Sequence, residues 1–482
     1  MVESIIKFIE AGLKDNVSLS ELKSELSEKG ILESDIESAI SKMSKNSGYR
    51  SAAESFKIKL YRKIFLDRIG YGFSATPFVN ILFSMTGASL FFIGVINALK
   101  SAISTLLSGF MSDYSKKVNV SRNFIRFTGL IYGFSFIFLA LSVSMRSDIL
   151  FALALLFGSI GTVSYGDSFK NMMLKKVGRT NFMFLISRVT FVGLGITALS
   201  LLLSGFVMDF VPLEGRIFII NLPLGYGFPM KIFGYLIAFM ITAFTSIFSA
   251  HILANMKLEA KSSNFRIWDY LSVHTKEIFA KSIRFIKNKY LFIITFTTLV
   301  IAIFQSVVNS FVGIYIYFTY EKLGLGGFMN VALIFAIALV VSYAGPIISS
   351  RLNKIFGLAP LFVFGSIIMA LLPLTIVFNP SSYYPAILFA TVLSFLGVSI
   401  IGSVQGLLAA RLLNERDRNI YYASSGFVTV VPFLIVVSLL SSFAFKNGIV
   451  LLFKYVGIGV LVILIPLYLL LVFWSSNKRS DF

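Results

Sequence analysis

The sequence contains no cysteine and only two histidines, and these absences exclude several kinds of chemistry. Without thiols there can be no disulfide, no thiolate nucleophile and no cysteine-ligated metal. His251 and His274 are too few for a histidine metal centre. They also flank a single connection between apolar segments, so no Ser–His–Asp arrangement is predicted. We therefore expect no metal site and no hydrolytic triad.

Nucleotide-binding motifs are also missing from the sequence. The Gly-x-Gly sequences that begin at Gly70, Gly193 and Gly225 lie in or beside apolar runs, outside any strand–helix–strand context. No Gly-Lys-Ser/Thr phosphate loop is present, so ATP-driven transport by this chain alone is not expected. The sequence therefore predicts a protein that is not an enzyme and has no cofactor.

Charged residues are scarce, at 14% of 482 residues, whereas a soluble domain carries about 25%. Many apolar runs reach the roughly 20 residues that a helix needs to cross the hydrocarbon core. These runs are continuous rather than alternating, which excludes a β-barrel and predicts an all-α integral membrane protein. We place twelve spans at about 62–84, 89–112, 123–144, 148–172, 181–207, 229–254, 289–317, 327–350, 358–379, 384–411, 420–445 and 448–474.

The net charge of +20 does not indicate nucleic-acid binding, because the basic residues lie between the apolar runs and not on one face of a domain. Most of the basic residues lie in alternate connections between spans. Positive connections mark the cytoplasmic side, so we predict a protein of the cell (plasma) membrane with both termini in the cytoplasm. The cytoplasmic set includes Lys57, Lys59, Arg62, Lys63, Lys116, Lys117, Arg122, Lys175, Lys176, Arg179, the basic residues from Lys257 to Lys289, Arg351, Lys354, Arg411, Arg416, Arg418, Lys478 and Arg479. The opposite side has little more than Arg146, Arg216, Lys231, Lys322 and Lys446.

Residues 1–50 differ in composition and predict a cytoplasmic three-helix unit, in which Ser18 and Glu21 form a capping box. Two roles for this unit are consistent with the sequence. It binds a cytoplasmic partner, or it is an appendage that only stabilises the protein. Aromatic and basic residues alternate in the long polar stretch between spans six and seven, which predicts an amphipathic interfacial helix. The predicted organisation is 1–50, a linker 51–61, a six-helix bundle 62–255, a central loop 256–288, a second bundle 289–475 and a tail 476–482.

The two bundles carry related sequences at corresponding places. Gly109 near the end of span two corresponds to Gly345 in span eight, and Arg179 before span five corresponds to Arg418 before span eleven. The two offsets differ by only a few residues, which indicates a duplicated six-helix unit. Parallel six-helix repeats are a known transporter architecture.

The segment after span two resembles the loop signature of the major facilitator superfamily, Gly-x-x-x-Asp-Arg-x-Gly-Arg-(Arg/Lys). Gly109, Asp113 and Lys117 match it, whereas Tyr114 and Lys116 depart from it. The region 66–106 is similar to exporter-like members. The resemblance implies twelve helices in two halves and a conformational latch between those halves at Gly109, Asp113 and Lys117. Other ionisable residues predicted to lie at this latch are Asp167, Lys170 and Arg188.

Ionisable residues within a span are costly and are therefore functional candidates. Lys100 is the deepest, and Asp67 and Arg68 lie one to two turns into span one. We expect Lys100 to face a central cavity and to pair with Asp67 or Asp167, so that protons or ions couple to the substrate. The alternatives are a structural ion pair and a lysine that snorkels to the interface.

Five uncharged polar residues mark the helices expected to line the cavity. Gln305 and Asn309 lie four residues apart on one face of span seven. Each residue alone is explained by a helix–helix hydrogen bond, but together they suit a substrate site at the midplane. The candidates are Asn80, Asn97, Gln305, Asn309 and Gln405.

The function predicted from these features is secondary active transport of a small solute, a metabolite or an amphipathic compound, by rocker-switch alternating access. Two alternatives remain. One is a membrane-embedded sensor or scaffold that signals through residues 1–50. The other is a lipid flippase on the same fold, which a lateral groove between spans five and eight would favour.

Overall fold

The computed structural model describes residues 4–6, 8–9, 19–45, 47–117, 122–177, 179–211, 216–221, 227–256, 288–322, 325–378 and 383–476. Helices account for nearly all of this. They are α1 Leu19–Glu28, α2 Glu33–Lys45, α3 Ser47–Phe73, α4 Thr76–Met85, α5 Leu90–Lys117, α6 Arg122–Ser144, α7 Asp148–Val177, α8 Arg179–Phe210, α9 Gly234–Ala254, α10 Lys289–Tyr320, α11 Gly327–Ser342, α12 Ala344–Phe356, α13 Leu358–Phe378, α14 Tyr384–Leu412, α15 Glu415–Asn447 and α16 Ile449–Ser476.

Within the described ranges, eleven helical stretches are long and apolar enough to cross a bilayer, and the chain is a multi-pass membrane protein. The predicted first span is not among the eleven, because it is divided into α3 and α4 and carries charged residues. The division falls at Ser74 and Ala75, just before Pro77, which occupies the first turn of α4. Proline is favoured there because its missing N–H would be unpaired in any case. A count of twelve spans stays a prediction.

The helical fold class is confirmed, with one element that the sequence analysis missed. Strands β1 (Arg216–Asn221) and β2 (Gly227–Ile232) pair antiparallel between α8 and α9. Span six was predicted to begin at 229, but α9 begins only at Gly234 because the residues before it belong to β2. Pro229 lies in a strand with one partner only, where its missing N–H is tolerated.

Two helix boundaries also differ from the prediction. The interval 51–61, predicted as a linker, is helical backbone within α3. Predicted span eight is divided into α11 and α12 at Tyr343, two residues before Gly345-Pro346. A proline inside a helix removes a backbone hydrogen bond and clashes with the preceding turn, which accounts for the break.

Each half is a bundle of closely packed helices. In the first half (α3–α9), a side chain at Gly129 would lie 3.5 Å from the backbone of Ala250, and one at Gly161 would lie 2.7 Å from the backbone of Tyr132. In the second half (α10–α16), the equivalent approach is between Gly397 and the backbone of Met369, at 2.6 Å. Small residues allow such approach, and dispersion between close helices then replaces contacts with lipid.

The N-terminal unit has a small core of its own, separate from the clusters in the membrane bundles. It consists of Ile5, Ile9, Leu22, Leu26, Ile36 and Ala39. Each of these side chains is almost fully buried. The predicted amphipathic helix in the central loop and the predicted C-terminal tail lie outside the described residues.

Candidate functional site

A cavity of about 230 Å³ lies between the two halves and is the candidate site. Its wall is formed by α5 from the first half and by α10 and α15 from the second. The lining residues are Ser101, Ala102, Thr105, Ala302, Gln305, Ser306, Asn309, Thr429, Val430 and Phe433. None of these is charged, and six of them carry hydroxyl or amide groups.

The cavity lies near the middle of all three helices, hence at mid-depth in the membrane. Thr105 and Asn309 are exposed there, and Gln305 and Ser306 are partly exposed. The buried Ser306 hydroxyl makes no hydrogen bond to any described residue. Polar side chains that are exposed at this depth are expected to border a polar cavity and not the hydrocarbon of the lipid. The predicted pair Gln305 and Asn309 therefore lies on a cavity wall.

Two other candidates, Asn80 and Asn97, form a buried bridge beside the cavity. The Asn97 amide nitrogen donates to Asn80 Oδ1 at 2.9 Å, and the Asn80 amide nitrogen donates to the Asn309 carbonyl at 2.7 Å. Asn97 is only 7% exposed and Asn80 is 0% exposed. The bridge connects α4, α5 and α10, so these amides tie the halves together and do not face a solute.

The last uncharged candidate, Gln405, lies outside this cavity. Its amide nitrogen donates to Thr298 Oγ1 at 2.8 Å and to Thr297 Oγ1 at 3.1 Å. Thr298 in turn shares a hydrogen bond with the Tyr421 hydroxyl at 2.9 Å. This network connects α10, α14 and α15 within the second half.

Lys100 is partly buried in α5, one residue before the cavity wall begins at Ser101. It makes no ion pair with any described residue, so the expected pairing with Asp67 or Asp167 is wrong for this conformation. Asp167 Oδ2 is itself buried and has no hydrogen-bond partner in the described part of the chain. An intramembrane lysine without a counter-charge is costly, so Lys100 stays a functional candidate.

Asp67 pairs instead with Lys63, one helical turn earlier in α3, at 2.5 Å. Asp67 also accepts a hydrogen bond from the Ser249 hydroxyl of α9, which is 2.8 Å from the Tyr165 hydroxyl of α7. The Lys63 ammonium lies 3.4 Å from the centre of the Phe169 ring. The i,i+4 spacing of Lys63 and Asp67 was visible in the sequence, but we had assigned Lys63 to the basic cytoplasmic connections. No sequence signal identified Ser249 or Tyr165.

The other ionisable candidates do not form one cluster. Arg68 extends across α8, where a side chain at Gly193 would lie 2.9 Å from its Nε. Lys170 is exposed. The backbone of α5 is helical through Lys117, so Asp113 is within the helix and not just past its end. The side chains of Asp113, Lys117 and Arg188, and the surroundings of Gly109, lie outside the described residues.

The halves are packed tightly at the membrane face opposite the basic connections, here called the outer face. A side chain at Gly313 of α10 would lie 2.8 Å from Pro77 of α4. One at Gly205 of α8 would lie 2.6 Å from Ala332 of α11. Such distances require glycine, and they show that the outer ends of the two halves are closed against each other.

Several known transporter structures superpose on nearly the whole chain. The nucleoside transporter NupG superposes with a TM-score of 0.60 at 13% identity, covering 86% of this chain and 99% of that chain. The protein therefore has the major facilitator fold. A bacterial homologue of the iron transporter ferroportin, in an inward-facing state, has a TM-score of 0.60 at 14% identity, covering 86% and 98% of the two chains.

A structure from work on proton-dependent oligopeptide transporters also superposes, with a TM-score of 0.61 at 13% identity. The match covers 87% of this chain and 100% of that chain. No protein-family model matches the sequence, and no curated protein matches it either. The major facilitator fold is thus established by structure, at sequence identities that carry no information on substrate.

Proposed function

We propose that this protein is a secondary active transporter that moves a small polar solute across the cell membrane by alternating access. The observation that carries the proposal is the polar cavity at mid-depth, lined by residues of both halves. In an alternating-access transporter the solute site lies at the interface of the halves near the midplane, so that rocking one half against the other exposes it to each side in turn.

The lining chemistry favours a hydrogen-bonding solute. Gln305 and Asn309 offer amide donors and acceptors, Thr105 offers a hydroxyl, and Phe433 offers one aromatic face. The volume of about 230 Å³ is below the roughly 300–1,000 Å³ typical of sites for drug-sized ligands. A small metabolite therefore fits this site better than a large amphipathic compound.

Coupling to protons or ions is assigned to Lys100 in this proposal. Asp67 is held by Lys63 and Ser249, so it is not free to serve the cavity. No described residue of the cavity wall carries a charge. Lys100, next to that wall and without a counter-charge, is then the group whose protonation can change as the solute or a proton binds.

The test is uptake into proteoliposomes under an imposed pH gradient, with pools of small polar metabolites as solutes. Asn309→Leu and Lys100→Gln are compared with wild type. Asn447→Leu is the matched control, because this exposed asparagine at the outer end of α15 donates to the Phe443 carbonyl one turn earlier in its own helix, its one hydrogen bond among the described residues. We expect solute uptake by wild type and the control, and at least tenfold less by Asn309→Leu.

Lys100→Gln is expected to retain downhill movement but to lose accumulation against a gradient. Equal uptake by all four proteins would contradict the assignment of the cavity. Absence of uptake of every solute by wild type would contradict the transporter function. The lipid-flippase alternative is less favoured, because α8 and α11 are in close contact at Gly205, where a lateral groove would have supported it. Signalling through residues 1–50 to a cytoplasmic partner stays a separate proposal.

A further inference from the structure

The outer ends of α8 and α11 are joined by a carboxylate that caps a helix of the other half. Asp209, the penultimate residue of α8, accepts a hydrogen bond from the Met329 backbone N–H at 2.7 Å. Its second oxygen accepts one from the Phe328 backbone N–H at 3.2 Å. These donors belong to the first turn of α11, where four N–H groups of any helix lack partners within the helix.

The first turn of α11 depends on this external acceptor. The residue at its N-cap position is Gly326, which has no side chain with which to cap the helix. Gly326 has φ +87°, and a side chain there would lie 2.6 Å from Cγ of Asp209. Glycine thus makes room for the carboxylate of the first half, which does the work that a Ser, Thr, Asn or Asp N-cap normally does. The positive end of the helix dipole adds to the attraction.

The neighbouring turn of the same two helices holds Asp209 in position. Gly205, four residues before Asp209, lies on the same face of α8 and packs against Ala332, four residues after Phe328. The backbones are close enough that a side chain at Gly205 would be 3.0 Å from the Phe328 carbonyl. Any movement that separates the outer ends of the halves must break both hydrogen bonds of Asp209 together.

We propose that Asp209 stabilises the closed state of an outer gate, which is formed by the outer ends of α8 and α11. The Asp209 carboxylate caps α11 only while the outer face is closed, and so biases the resting protein toward that state. This inference rests on the proposed alternating access. Asparagine keeps one acceptor oxygen, but its amide nitrogen takes the place of the other and cannot accept, so one of the two hydrogen bonds and the negative charge are lost. Loss of a hydrogen bond to a charged group changes an equilibrium by about tenfold or more. We therefore expect removal of the Asp209 carboxylate to raise the outward-open population by about tenfold.

The absence of cysteine allows a direct test by thiol labelling. Thr105→Cys places one thiol on the cavity wall, at a side chain that is exposed there. In this background, Asp209→Asn is compared with Asp148→Asn in reconstituted vesicles of known orientation. Asp148 is the matched control, because it lies at the outer end of α7 and bonds to Ile149 N–H of its own helix at 2.8 Å.

An impermeant maleimide added from the outer side should label Asp209→Asn about ten times faster than the Thr105→Cys background, and labelling from the cytoplasmic side should become slower. Asp148→Asn should change neither rate by more than about twofold. An unchanged outer rate, or the same change in Asp148→Asn, overturns the gate. Faster labelling from both sides would indicate loosened structure and also overturns it.

Asp209→Asn preserves the volume of the side chain, and a single symmetric peak in size exclusion is required before labelling. Asp209→Glu, which keeps the charge but lengthens the side chain by one methylene, should fall between wild type and Asp209→Asn. The labelling assay needs no substrate. A failed uptake screen therefore contradicts the proposed function alone, whereas unchanged labelling contradicts the gate alone.

Discussion

The effect of replacing Asp67 by asparagine shows whether this carboxylate stabilises the fold of the first half or couples transport to a gradient. The Lys63 side chain is 4% exposed and that of Asp67 is 29% exposed. In Asp67→Asn, the Lys63 ammonium would keep the Phe169 ring at 3.4 Å but lose the carboxylate. The variant therefore leaves a buried cation with no anionic partner among the described residues.

Removing one partner of a buried ion pair costs about 3–5 kcal/mol. The partial exposure of Asp67 and the remaining acceptor of asparagine favour the lower end, about 3 kcal/mol, or roughly a hundredfold in the unfolding equilibrium. The double variant Lys63→Met/Asp67→Asn has no charge to bury, and replacement of buried ion pairs by apolar groups is often neutral. It should therefore recover to within about 1 kcal/mol of wild type.

The assay is equilibrium unfolding in mixed micelles of a mild detergent and dodecyl sulfate, followed by pulse proteolysis, with uptake measured on the same preparations. Asp67→Asn should unfold at a lower dodecyl sulfate fraction, and the double variant should not. The reasoning is refuted if Asp67→Asn unfolds like wild type while losing only accumulation against the gradient. That result would make Asp67 a coupling residue, as the sequence had suggested. If the effects of Lys63→Met and Asp67→Asn on the free energy of unfolding were additive, the stabilising role of this ion pair would also be refuted.

Two further predictions concern contacts between the halves. Gly94→Ala should destabilise the protein by about 1–3 kcal/mol in thermal unfolding, because the new side chain would lie 2.6 Å from Cβ of Ser441. Gly166→Ala is its control and should gain up to about 1 kcal/mol, since nothing lies within 4 Å of that position; the reverse order would contradict the packing. Asn97→Ala should cost about 1 kcal/mol by removing the donor to Asn80, and Asn80→Ala should cost more because Asn80 bonds to two partners. Equal thermal stability of the two asparagine variants would contradict the bridge.

The sequence by itself determined the class of the protein and the approximate location of most of its spans. Scarce charge and long apolar runs require helices in lipid, because a backbone without water must satisfy its own hydrogen bonds. The same physics identified one wall of the cavity. Gln305 and Asn309 lie on one helix face, and two adjacent amides at mid-span must find either partners or a polar cavity.

Local sequence patterns also explain where the predictions failed. Hydropathy extended span six over residues that belong to β2, because Met230 and Ile232 are as apolar in a strand as in a helix. Lys63 was counted with the basic connections, although its spacing of four from Asp67 already allowed an intrahelical pair. Composition gives the cost of a buried charge but not the identity of its partner.

Only the tertiary structure decided which polar groups are free and which are tied. Asn80 and Asn97 were equivalent to Asn309 as candidates, yet the first two are bonded between helices and the third faces the cavity. The contact of Asp209 with the first turn of α11 likewise could not be read from the sequence. Its partners are backbone N–H groups, which every residue but proline possesses, so only the packing of distant helices selects them.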